Sequence, residues 1–127
     1  MATGSERGSS DPLGTMRAAV STGIVQAMAQ LYGRGPTKAK TYFNDNYVFC
    51  VLEDGLTPNE ERLVAEGEAR LVRQYRLRFQ EVVAEELTSV VERATGRKVL
   101  TYHSQVVFDP PRLFEIFLLD ESPGETR

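Results

Sequence analysis

The chain carries one cysteine, Cys50, and one histidine, His103. They could act as nucleophile and base only if the fold brings them within hydrogen-bond reach. A zinc site of ordinary His/Cys composition is excluded within one chain, because such sites take more of these ligands than the sequence has. No metal and no cofactor is expected. The sequence contains no GxSxG elbow, HExxH helix or Walker-type phosphate loop. Cys50 lies in the apolar run "YVFCVL", where a thiol reads as a small buried hydrophobe. Glu85 and Glu86 sit in helical context and read as solvated surface. No catalytic set is recognisable, so the expectation is a non-enzymatic protein.

The basic residues offer different chemistry. Arg70, Arg73, Arg76 and Arg78 crowd one segment, and "GRGPTKAK" adds Arg34, Lys38 and Lys40. Guanidinium groups present planar, multiple donors to anions. The candidates for a small-anion site are Arg34, Lys38, Lys40, Arg73 and Arg76, with His103 beside them. Two observations oppose this. The arginine cluster is interleaved around more than one helix face, as on a solvated surface. The glycines of "GRGP" close a helix, whereas phosphate cradles open one. A net charge of −3 makes nucleic acid an unexpected partner, although Tyr42, Tyr47 and Tyr102 could imitate stacking aromatics.

The elements that position these residues follow from periodicity. Asp11-Pro12 is a helix start, with a capping carboxylate and proline in the first turn. Leu13, Met16, Val20, Ile24, Ala27, Met28 and Leu31 repeat at helical spacing, and Gly33 sits at the expected left-handed C-cap. Gly23 within that helix is either a close-contact site or merely tolerated. Residues 38–44 and 47–53 alternate as two strands around the turn "NDN". "LTPNEERL" holds a capping box, Thr57 with Glu60, and proline at the first helical position. The helical pattern runs to about residue 94, with Gly67 as a break. Its apolar stripe is Val64, Leu71, Val72, Tyr75, Phe79, Val82, Val83, Leu87 and Val90. Gly96 closes it. Residues 98–108 and 112–119 are the last strands, joined through "DPP".

The order is therefore α-β-β-α-β-β. The predicted class is α+β: a four-stranded antiparallel sheet with two main helices on one face. Strand order is left open. The halves echo each other. Gly33-Arg34, Lys40-Thr41-Tyr42-Phe43 and Leu52-Glu53-Asp54 correspond to Gly96-Arg97, Leu100-Thr101-Tyr102-His103 and Leu118-Leu119-Asp120. Duplication and convergence both account for this. The echo aligns His103 with Phe43, a packing position. The second strand of each hairpin, "YVFCVL" and "LFEIFLL", is apolar on nearly every position of both faces. The face away from the helices should therefore expose either Val48, Cys50 and Leu52 or Phe114, Ile116 and Leu118. An apolar patch of that size predicts a homodimer through sheet-to-sheet packing.

Length predicts a single domain over residues 11–120. Residues 1–10 read as a disordered lead-in and 121–127 as a frayed tail. The N-terminus lacks the basic and apolar regions of a secretory signal. No segment has the apolar length of a membrane span, and a lone cysteine fits a reducing compartment. A cytoplasmic location is expected.

Two stretches, "YGRGPTKAKTYFNDNYVFCVLEDGLTPNE" and "TGRKVLTYHSQVVFDPPRLFEIFLL", resemble the MpsC-like family. These are small bacterial proteins labelled after a sodium-translocating, membrane-potential-generating system. "GRGP", "LTP" with its following glutamate, and "TGRKV" carry the resemblance. The late strand of that family often has a His-Ser pair followed by an acidic residue. His103 and Ser104 match, but Gln105 stands at the acidic position. The resemblance implies an accessory or regulatory protein with a membrane transport protein as partner, peripheral to the membrane through that partner. It implies no catalytic residues. The alternative from the basic residues is a small-ligand or anion-binding sensor.

Overall fold

A computed structural model describes residues 11–124. The expected disordered lead-in, residues 1–10, lies outside that range, as do residues 125–127 of the expected tail. The rest of the tail is tied to the domain. Arg97 donates from Nε to the Ser122 carbonyl at 3.0 Å and pairs with Glu121 at 3.0 Å.

The elements are α1 (Pro12–Tyr32), β1 (Lys38–Asn44), β2 (Tyr47–Glu53), α2 (Pro58–Ala65), α3 (Ala69–Thr95), β3 (Val99–Phe108) and β4 (Pro111–Leu119). The strands form one antiparallel sheet in the order β1-β2-β4-β3. This is the α+β arrangement that periodicity predicts, with the two long helices on one sheet face. The end signals act as read. The Asp11 carboxylate accepts from the Gly14 amide at 3.0 Å. Gly33 (φ 80°) and Gly96 (φ 70°) end α1 and α3 in the left-handed region, which glycine enters without a Cβ penalty. The two arginines after these caps do parallel work. Arg34 pairs with Asp54 at 2.8 Å and donates to the Leu56 carbonyl. Arg97 does the same to Glu121 and Ser122. Each clamps the chain leaving its own hairpin to the end of its own helix.

The core lies between helices and sheet. Val20, Ile24 and Met28 of α1 meet Val72, Val83, Leu87 and Val91 of α3 above Val48, Leu52, Leu113 and Phe117. Gly23 is a close-contact site, since a Cβ there would lie 2.5 Å from Val90 Cγ1. The stripe read on α3 is partly displaced. Leu71, Tyr75 and Val82 are exposed, while Arg76 and Gln80 take core positions. The apolar stripe is wider than the helix's contact with the sheet. The row that packs is Val72, Arg76, Gln80, Val83 and Leu87, and the flank bearing Leu71, Tyr75 and Val82 is left outside.

Burial alternates along β2 and β4. Val48, Cys50 and Leu52 point at the helices, so Phe114, Ile116 and Leu118 belong to the open face. Phe49 and Val51 pair with Ile116 and Phe114 there. Tyr42 and Tyr47 on the same face are 47% and 44% exposed. The echo fails at His103. The ladder between β3 and β4 shifts register between Val99 and Thr101. One extra residue in a strand reverses the facing of everything after it. Tyr102 and Ser104 consequently point inward, and His103 is exposed on the open face, whereas Phe43 packs against the core.

Candidate functional site

Two linked polar clusters lie inside this core. The first begins at the start of α2. Thr57 caps the helix by accepting from the Glu60 amide at 3.2 Å, and Glu60 Oε1 accepts from the Thr57 amide at 2.8 Å. The same carboxylate is the counter-ion of Arg76. Arg76 donates from Nε to Oε2 at 2.8 Å and from Nη2 to Oε1 at 2.6 Å. Nη2 also donates to the Gly55 carbonyl at 2.9 Å, and the guanidinium lies 3.8 Å from the centre of the Tyr32 ring. Glu60 and Arg76 are 5% and 1% exposed. Burial works to raise the Glu60 carboxyl, but the bonds from Arg76 and Thr57 outweigh it and hold it below its ordinary value. Burial likewise opposes the charge on Arg76, and Glu60 more than restores it. Arg76 Nη1 and the Tyr32 hydroxyl are enclosed without a hydrogen-bond partner among the described residues. Burial pushes the Tyr32 phenol up to about 12.

The second cluster crosses the sheet. Strand register places Thr41, Cys50, Glu115 and Ser104 side by side on the helix-facing side. Ser21 of α1 extends the row through a 2.7 Å contact with the Thr41 hydroxyl. Glu115 has no exposed surface. Ser104 donates to its Oε2 at 2.7 Å, and the Tyr102 hydroxyl donates to Oε1. No cation among the described residues pairs with it. Burial pushes its carboxyl up to about 7, which the two hydroxyls and the more distant Arg76 charge offset only in part. Burial and the neighbouring carboxylate raise the Tyr102 phenol far above its ordinary value. A carboxyl in this state can hold or release a proton near neutrality.

Beside the row is a cleft of about 310 Å³. Leu77, Gln80, Glu81 and Ala84 of α3 and Tyr102, His103 and Ser104 of β3 line it. The two hydroxyls that hold Glu115 thus form part of its wall.

The candidates named from sequence do not converge. Arg34 is engaged by Asp54, Glu61 and the Leu56 carbonyl. Lys38 is exposed and borders a cleft with Glu53, Asp54, Glu61 and Arg112. It shares a second shallow cleft with Lys40. The Lys40 ammonium also sits 5.5 Å from the Tyr42 ring. Arg73 lies over Phe108 at 5.1 Å. Arg76 is buried, and His103 faces outward. Cys50 points into the core with its thiol pushed by burial up to about 11, so it and His103 stand on opposite sheet faces and form no pair.

Sequence reasoning found Glu60 as a cap and Arg76 as a cation without joining them. It named Tyr102 only as a stacking aromatic and Ser104 only through the family's His-Ser pair, and it missed Glu115 and Gln80. One signal was available. In "LFEIFLL" Glu115 is the only polar residue, and alternation from Leu113 to Leu119 puts it on the buried face.

A family model described as "Na+-translocating membrane potential-generating system (MpsC)" matches residues 13–121. No curated protein and no solved structure matches the chain. No helix among the described residues is long and apolar enough to cross a membrane.

Proposed function

The chain belongs to the MpsC family, and from that premise we propose that it is a non-enzymatic accessory or regulatory protein of a membrane ion-transport or membrane-potential system. It works in the cytoplasm, peripheral to the membrane through its partner, and as a homodimer. The observation that carries this reading is the open sheet face. Phe49, Val51, Phe114, Ile116 and Leu118, flanked by Tyr42 and Tyr47, form an apolar surface that no helix among the described residues covers. Such a surface supports association with a second copy or a partner protein.

An anion sensor built on Arg34 and Arg76 is the less favoured reading. Both arginines already hold carboxylates, and an anion would have to displace them.

The test has two arms. Light scattering at micromolar concentration should give a dimer, and Ile116→Asp should give a folded monomer. Capture from detergent-solubilised native membranes should enrich an integral transport protein. A wild-type monomer removes the dimer, and recovery of soluble partners alone overturns the transport association.

A further inference from the structure

We propose that the cleft between α3 and β3 is a binding site for a small organic cation, an alkylammonium or alkylguanidinium. The inference is independent of the transport association.

The site is built from inside. Gln80 is 5% exposed and lines the cleft. Among the described residues its amide has no hydrogen-bond partner. Its amide atoms are not among the enclosed, unpartnered ones; they open onto the cleft, where a ligand can bond them. The opposite wall is polarised in one sense. Tyr102 and Ser104 spend their protons on Glu115, so each oxygen can only accept from a ligand. Glu81 adds an exposed carboxylate at the rim, and the Glu115 carboxyl lies directly behind the hydroxyls. Among the described residues no lysine or arginine lines the cleft.

The other charged groups facing Glu115 are accounted for. From α3, Arg76 is held by Glu60 of α2. From α1, the Tyr32 phenol is neutral. From β2, the Cys50 thiol is protonated.

Apart from the His103 imidazole, whose strand position faces the opposite side of the sheet, the wall therefore offers oxygens and negative charge. The occupant must bring hydrogen-bond donors and positive charge. Leu77 and Ala84 supply apolar contact for a short alkyl stem. The volume of about 310 Å³ is at the small end of ligand pockets, about 300–1,000 Å³. It fits a molecule of a few carbons.

The experiment is an NMR titration of the ¹⁵N-labelled full chain with n-butylammonium and n-butylguanidinium. Butanol and butyrate serve as neutral and anionic comparators. The cations should shift the Gln80 side-chain amide and the backbone amides of residues 102–104 saturably, and the comparators should not. Glu81→Gln, at an exposed position, should keep the fold and weaken binding about two- to fivefold, the range of an exposed ion pair. Gln80→Leu should remove saturable binding. The proposal is overturned if butyrate moves the same resonances as strongly. It also fails if neither cation saturates by about 10 mM, an affinity weaker than small-ligand recognition needs, or if Glu81→Gln binds like wild type.

Discussion

Glu60 and Glu115 are both buried carboxylates in one small core, and they titrate in opposite directions. Glu60 is held below its ordinary value and Glu115 is pushed up to about 7. Burial acts on both in the same sense. The difference is the donor set. Glu60 receives a guanidinium through two bonds and a backbone amide through a third, whereas Glu115 receives two neutral hydroxyls. Charge-assisted bonds offset desolvation, and neutral ones do so only in part. The core thus holds one permanent carboxylate and one that changes state near neutrality.

The strongest way to break the contrast is to remove the cation. Arg76→Met should strand Glu60 and cost about 3–5 kcal/mol in denaturant unfolding. It should also push the Glu115 carboxyl higher, because the Arg76 charge pulls it down. A loss under about 1 kcal/mol, the range of exposed pairs, would show that the pair is not integral to the core.

Glu115 itself should give the next largest effect. Its folded value of about 7 exceeds the reference 4.5. Between these values the native state binds the proton that the unfolded state has released. Stability from this group is therefore full below about pH 4.5 and falls as pH rises through about 7, by about 3 kcal/mol in total. Glu60 has the opposite sign: its contribution is present above the unfolded value and is lost as pH falls. Chemical denaturation from pH 5 to 8 should show the Glu115 slope, and Glu115→Gln should flatten it. An unchanged slope in that variant would assign the effect to another group.

Deleting single donors sharpens the comparison further. Tyr102→Phe or Ser104→Ala should cost about 1–3 kcal/mol above pH 7 and much less at pH 5, where the carboxyl is protonated. The direct readout is the Glu115 carboxyl titration by NMR, which should move upward in both. The smallest effect belongs to the cap. Thr57→Ala should cost about 1 kcal/mol while Arg76 keeps Glu60 ionised. A Glu60 titration near neutrality in that variant would mean that Thr57, and not Arg76, sets its state.

The architecture was largely legible because its signals are local. Pro12, Gly33, the Thr57–Glu60 box, Gly67 and Gly96 mark element ends through backbone chemistry that acts within a few residues. The site was not legible because it depends on facing and on distant pairing. The shift between Val99 and Thr101 exchanges the faces of Tyr102 and His103, and no local motif announces it. Arg76 meets Glu60 only because α3 folds back beside α2. The wide apolar stripe of α3 hid the row that packs, since Leu71 and Tyr75 look as buried on paper as Val72. Gly23 shows the converse. Its place at the crossing is fixed by Val90 on another helix, so spacing alone left its role open.

The strand order carries a kinetic consequence. Each half, α1 with β1 and β2 and α3 with β3 and β4, closes its own hairpin between neighbouring residues, an event of about 1–10 μs in isolated hairpins. The ladder of β2 with β4 joins the halves over a long loop and is the slow, non-local step. Cys50 and Glu115 sit opposite each other on that ladder. Docking the halves is therefore the moment when Glu115 leaves water, and a protonated Glu115 makes that step cheaper. Refolding should therefore accelerate as pH drops below about 7, and Glu115→Gln should remove that dependence.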